Sequence, residues 1–337
     1  MNMKKIVYAL FAIACGIFTS CMDSEEIEIL KDVTVTIQPS SVVSSFAGFQ
    51  TGDLDMYSDK DGTSKLRISA FLYDEEGKLV VEKSTLLKDY SSDYTFTLNA
   101  LDLNKKYQIL VVSNAIQGTL ENPSYQSYSL SNTSDMNKLT VFQEFENSFY
   151  SSWSILGLGK QEINPNENTN YLIKLHPGSA MFIHYWEDIH AFDSHNVDSY
   201  RFIYHNNDQV IYNGNWSYST TLPNNSNNAI YVDVTQSPSH SIYEIINILP
   251  NPSMHYFGRL FIGEESIDFQ DVSSKGEGSI EVVAGNTYEV NFDCSTRSID
   301  INKKSSGSVT NLRDYNKKNI NKQEVENKKS AKVLNIL

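Results

Sequence analysis

Cysteine is scarce in this 337-residue chain: the three copies stand at positions 15, 21 and 294. Two of them fall in the first 21 residues, so Cys294 is alone in the remainder and a disulfide framework is excluded. Within the alternating stretch from Tyr288 to Cys294 that thiol reads as a small strand residue rather than a nucleophile. Helical periodicity is equally scarce, and after the first 20 residues no apolar run is long enough to cross a bilayer. No Gly-rich phosphate cradle and no Gly-x-Ser-x-Gly elbow occurs. Basic charge is thin: from Cys21 to Asn302 there are 38 Asp and Glu against 16 Lys and Arg, hence −22. Such a surface repels phosphate backbones, which removes the dominant attraction in nucleic-acid binding. Nucleic acid is therefore not an expected partner.

What is present begins with an export-type leader. Lys4 and Lys5 precede the apolar run Ile6 to Ile17, and Phe18-Thr19-Ser20-Cys21 follows. The last four residues resemble a lipobox, with Phe where Leu is usual, which marks Cys21 as a lipid attachment site. An ordinary cleaved leader with a cysteine near its end is the alternative. Asp23, Glu25 and Glu26 come next, an acidic cluster that resembles the surface-export signal of Bacteroidetes-type lipoproteins and equally suits a solvated linker. Several acyl chains hold a protein durably, because each buried methylene contributes about 0.8 kcal/mol. The expected location is the outer membrane, lipid-anchored and facing the cell exterior.

Tyr, Phe, Ile, Val and Thr recur in short runs divided by Asn, Ser, Gly and Asp, the pattern of an all-β protein. Leu66 to Tyr73 and Lys78 to Glu82 flank Asp74-Glu75-Glu76-Gly77, a hairpin whose Gly can take a positive φ. Val33 to Ile37, Tyr94 to Leu98 and the continuously apolar Tyr107 to Ser113 complete a first β-unit. Residues 114–149 are rich in Ser, Asn and Tyr and read as a long connection. A second set of strands runs from Tyr171 to Phe292, with a tight turn at Ala284-Gly285-Asn286. The expected organisation is thus a leader (1–20), an acidic linker (21–32), an N-terminal sandwich with its connecting segment (33–150), a C-terminal sandwich (151–302) and a Lys- and Asn-rich tail (303–337) expected to be disordered.

Chemistry-bearing patterns are weak. His184, His190, His195 and His205 are close in sequence but lack the i, i+4 metal spacing, so no metal or cofactor is expected. Asp53, Asp55, Asp59 and Asp61 miss the calcium-loop register and suit a solvated turn. An enzyme is not expected. Trp153, Trp186 and Trp216 are candidate ligand-contacting aromatics, since flat rings stack on sugar faces, although sandwich cores use the same residues.

The lipoprotein-type leader, Val33-Thr34-Val35-Thr36-Ile37, the hairpin from Leu66 to Val80 and the strand from Tyr107 to Asn114 together resemble the fimbrillin-like superfamily of Bacteroidetes-type cells, and within it the minor-fimbria anchor lipoproteins. The resemblance covers residues 30–116 and rests on structural motifs. It implies two tandem transthyretin-like (Ig-like) β-sandwich domains and subunits joined when a strand of one completes the sheet of the next. Stalk subunits of that family lose an N-terminal strand to a protease cutting after Arg. Here no Arg lies between Cys21 and Ser64, so retention of that strand and an anchor, tip or adhesin role are implied. The rival reading is a surface glycan-binding lipoprotein of a polysaccharide-uptake system, with function in exposed rings.

Overall fold

The structure is a computed structural model. It describes residues 29–46, 64–144, 155–187, 199–204, 208–219, 228–233, 243–262, 265–271, 279–293 and 296–304. The expected sites at Cys21 and Trp153, the four Asp residues from 53 to 61, Cys294 and the tail from 305 lie outside them.

The fold is all-β. The first strands are β1 (Leu30–Gln38), β2 (Ser64–Tyr73), β3 (Leu79–Leu87), β4 (Tyr94–Asp102) and β5 (Tyr107–Gly118). A five-residue helix, α1 (Ser40–Ser44), follows β1. Next come β6 (Pro123–Gln126), β7 (Tyr128–Ser131), β8 (Thr140–Gln143), β9 (Gly157–Ile163), β10 (Asn170–Lys174) and β11 (His176–Pro177). The remainder are β12 (Ala180–Glu187), β13 (Ser199–Tyr204), β14 (Gln209–Tyr212), β15 (Trp216–Ser219), β16 (Asn228–Asp233), β17 (Tyr243–Ile248), β18 (Asn251–Ile262), β19 (Glu265–Asp271), β20 (Ser279–Val282), β21 (Thr287–Asp293) and β22 (Ser298–Lys304).

Three of the sheets stack. A three-stranded sheet, β10-β1-β4, faces a six-stranded sheet, β11-β9-β5-β2-β3 with β6 beside β5. Between them lies the largest apolar cluster, with Val33, Val35 and Ile37 on one side and Leu66, Ile68, Leu72, Ile109 and Val111 on the other. The far face of the six-stranded sheet is covered too. Phe71, Tyr73 and Leu110 pack there with Leu139 and Tyr212, and Val112 and Leu158 pack with Tyr128, Val141 and Val210. The covering layer is the four-stranded sheet β15-β14-β8-β7. A strand buried on both faces needs apolar residues at successive positions, not at alternate ones. This is why β2 and β5 read as continuous apolar runs.

The hairpin expected between β2 and β3 is present, with Gly77 at φ 79° and its N–H donating to the Asp74 carbonyl at 3.0 Å. The turn at Gly285, φ 77°, joins β20 to β21. Of residues 114–149, expected as a connection, the described residues 114–144 instead extend β5 to Gly118 and supply β6, β7 and β8. Strand pairing also crosses the division expected between residues 150 and 151. β9 pairs with β5, β10 with β1 and β14 with β8. Ile155, Ile163, Ile173 and Leu175 accordingly belong to the same apolar cluster as Val33 and Ile68.

The rest of the strands form a nine-stranded sheet, β16-β13-β18-β19-β22-β21-β12-β17 with β20 beside β18. Phe182 stacks on Tyr288 there, with ring centroids 4.8 Å apart.

Candidate functional site

The feature of the fold best placed to act is the seat of β1. The segment from Val33 to Ile37 alternates β-branched apolar residues with threonines, a period of two that buries one face and leaves the other in water. Val33, Val35 and Ile37 are fully buried, while Thr34 and Thr36 point outward. The strand is held on both edges. It runs antiparallel to β4, with Val35 opposite Phe96, and parallel to β10, with Val35 opposite Tyr171. Side chains lock this register: the Thr36 and Thr95 hydroxyls are 3.0 Å apart, and the Asp32 carboxylate accepts the Ala100 N–H at 2.9 Å. At the exit, the Ser41 hydroxyl is placed to donate to the carbonyls of Gln38 and Leu175, at 2.7 and 2.8 Å. The seat is therefore a slot between β4 and β10, with backbone groups along both walls and an apolar floor. Chemically it binds an extended segment with apolar residues at alternate positions.

Arg67, the first arginine of the sequence, lies in β2, which is paired on both sides by β3 and β5. Its guanidinium is buried, with Nε donating to Asn114 Oδ1 at 3.1 Å and Nη2 to the Tyr128 carbonyl at 2.9 Å. The Asn114 amide donates to that same carbonyl at 2.8 Å, so β7 is pinned to the six-stranded sheet. Burial pulls the Arg67 pKa below its ordinary value, against the opposing pull of the Glu82 carboxylate. The sequence marked this network only by the polar pair Ser113-Asn114 at the end of an apolar run.

Of the three candidate aromatics, Trp216 is the one whose side chain is described. Trp216 stands in β15, half-buried, and meets Tyr212 edge-on at 5.2 Å between ring centroids. It packs against two apolar clusters between the layers, and its indole N–H is buried without a hydrogen-bond partner among the described residues. Its ring thus packs between the layers. Trp186 stands in β12, with Phe292 of β21 as its register partner. His184 is in the same strand, whereas His190, His195 and His205 lie outside the described residues. Among the described residues no group of three or more His, Cys, Asp or Glu side chains could hold a metal ion. No helix of the described residues is long and apolar enough to cross a membrane.

No protein-family model matches the chain, and no curated protein matches it. Solved structures do. A candidate polysaccharide binding protein from Bacteroides thetaiotaomicron is 11% identical at a TM-score of 0.48, covering 80% of this chain and 95% of that one. A candidate cell adhesion protein from Bacteroides uniformis is 11% identical at a TM-score of 0.47, covering 83% and 98%. A fimbrial assembly protein from Parabacteroides distasonis is 14% identical at a TM-score of 0.41, covering 82% and 96%. Likenesses at this level do not decide function, and the reading below is built on the chain's own residues.

Proposed function

We propose that this chain is a cell-surface lipoprotein, held in the outer membrane through Cys21, that serves as a fimbrial anchor or minor fimbrial adhesin subunit by β-strand complementation. It binds and transmits load, and it does not transform a substrate. The observation that carries the reading is the position of β1: the strand begins nine residues after Cys21 and is the middle strand of its sheet. Tension arriving from an acylated Cys21 would act along β1 and load its hydrogen bonds to both neighbours in shear. Three fully buried side chains on its inner face resist the same pull. A strand so seated suits an anchor.

Retention of β1 is supported by the same geometry. The segment from Cys21 to Ser64 has no arginine, and Arg67 is buried in a doubly paired strand where a protease active site cannot take hold of it. Assembly would then use exposed sheet edges, where unpaired N–H and C=O groups accept an added strand. β3 and β10 are such edges, each with an exposed apolar residue, Val80 and Leu172.

The test is affinity purification of the tagged full chain from cells of a fimbriated host, with a polysaccharide column run in parallel. Co-purification of pilin-type subunits is the expected result. Retention on polysaccharide with no co-purifying subunit would overturn the reading in favour of glycan binding.

A further inference from the structure

Among the described residues the exposed large apolar side chains are Ile29, Leu30, Val80, Leu172 and Val283. Two of them are adjacent at the start of β1, 57% and 50% exposed, ahead of Val33, the first residue that the strand buries. Leu103, half-buried, is beside them: its N–H donates to the Ile29 carbonyl at 2.9 Å. Charged side chains of both signs ring the same end of the sandwich, with the exposed Lys31 directly after Leu30. Lys105 pairs with Asp102 at 3.4 Å, and Lys106 pairs with Glu162 at 3.1 Å. The end is thus an apolar tip inside a polar rim of mixed charge, on a chain of net charge −14.

The chain's covalent geometry says what this tip faces. Ile29 follows Cys21 by eight residues, and eight residues span at most about 28 Å in any conformation. The opposite end of the sandwich is beyond that reach, because the nine residues of β1 alone add roughly 30 Å. Val283 marks that far end. It is exposed, and the Gly285 turn that follows it lies against Ser45, past the exit of β1.

We propose that Ile29 and Leu30, with Leu103 beside them, form a lipid-contacting foot that seats in the headgroup region of the membrane holding Cys21 and stands the sandwich end-on. This inference rests on the lipid-anchor reading of Cys21. A second copy of the chain is a poorer occupant, because a stable protein interface buries about 1,200 Å² or more and two side chains offer far less. The contact is made by aliphatic side chains, so it is insensitive to salt.

The test uses the full chain in its host membrane, with a benzophenone amino acid replacing Leu30 in one variant and Val283 in another, and with radiolabelled fatty acid in the medium. The expected result is a phospholipid adduct on irradiation at position 30, unchanged in high salt, and none at position 283. Acyl label on the chain with no adduct at 30, with adducts at both positions, or with a protein adduct at 30 overturns the foot and leaves the anchor standing. An adduct at 30 on a chain without acyl label overturns the anchor and, with it, the foot as placed by Cys21. Neither label nor adduct overturns both.

Discussion

Gly157 opens β9 opposite Ser113 of β5, and the space between them is already filled. A Cβ at that position would collide with Ser113 Oγ and lie 2.8 Å from Val42 Cγ2. Both neighbours are fully buried, so neither can swing into water. Gly157→Ala is therefore expected to destabilise the protein by about 1–3 kcal/mol, read as a lower melting temperature. Among the described residues Ser113 Oγ itself has no hydrogen-bond partner. Ser113→Ala should be neutral or stabilising, and the double variant should recover part of the loss, since a buried hydroxyl without a partner opposes folding.

Tyrosines set the alkaline limit. Burial pushes the Tyr218 pKa up to about 12, and burial drives Tyr73, Tyr90 and Tyr128 higher still. A phenol whose folded pKa exceeds its unfolded value of about 10 keeps its proton in the native state while the unfolded chain ionises. The stability it contributes is full below pH about 10 and is lost as pH rises toward about 12. Melting temperatures measured across that window should fall, with tyrosinate absorbance appearing together with unfolding. Tyrosinate appearing while the fold stays intact would contradict the assignment.

At the scale of elements, β1 separates what a strand's sequence specifies from what its seat supplies. Burying Val33, Val35 and Ile37 stabilises the sandwich by about 1.5–3 kcal/mol for each side chain. A chain beginning at Pro39 should lose cooperative folding, because the slot between β4 and β10 would expose its apolar floor. A synthetic peptide of Leu30–Gln38 should restore the circular dichroism of the folded protein, and the same peptide with Val35→Asp should not. Full folding of the truncated chain would show that β1 is dispensable.

The alternation of Val33 to Ile37 and the Asp74–Gly77 turn were legible because each is a local signal, carried by period two and by one residue's access to positive φ. β6, β7 and β8 were not legible. Each is four residues long, too short to show a period, and they stand among serines whose outward positions resemble a loop. Their strand character comes from neighbours: β8 gains β14 on one side and β7 on the other. Trp216 was likewise ambiguous, since core and sugar platform use the same ring, and its contacts with Tyr212 and the clusters around it are visible only in the fold.

For the whole molecule, the pairing of β9, β10 and β11 with earlier strands makes residues 155–177 part of the first sandwich. A fragment covering residues 22–150 should therefore fail to fold. It would leave β5 and β1 each short of a partner and remove Ile155, Ile163, Ile173 and Leu175 from the core. Poor amide dispersion in an NMR spectrum of the fragment is the expected outcome, and a well-dispersed spectrum would show that the boundary near 150 is a true domain limit.

From the residues alone come the β character, the turn glycines, the two strands apolar at successive positions, the acidic body and the lipobox-like Cys21, because each depends on local composition or spacing. Tertiary structure alone decided that β1 is a central strand, that β10 lies parallel to it across more than a hundred residues of chain, and that β7 and β8 help cover the outer face of the six-stranded sheet. Backbone hydrogen bonds are the same for every sequence, so the choice of distant partner is made by which apolar faces can be buried together, and that is settled only when the whole chain has folded.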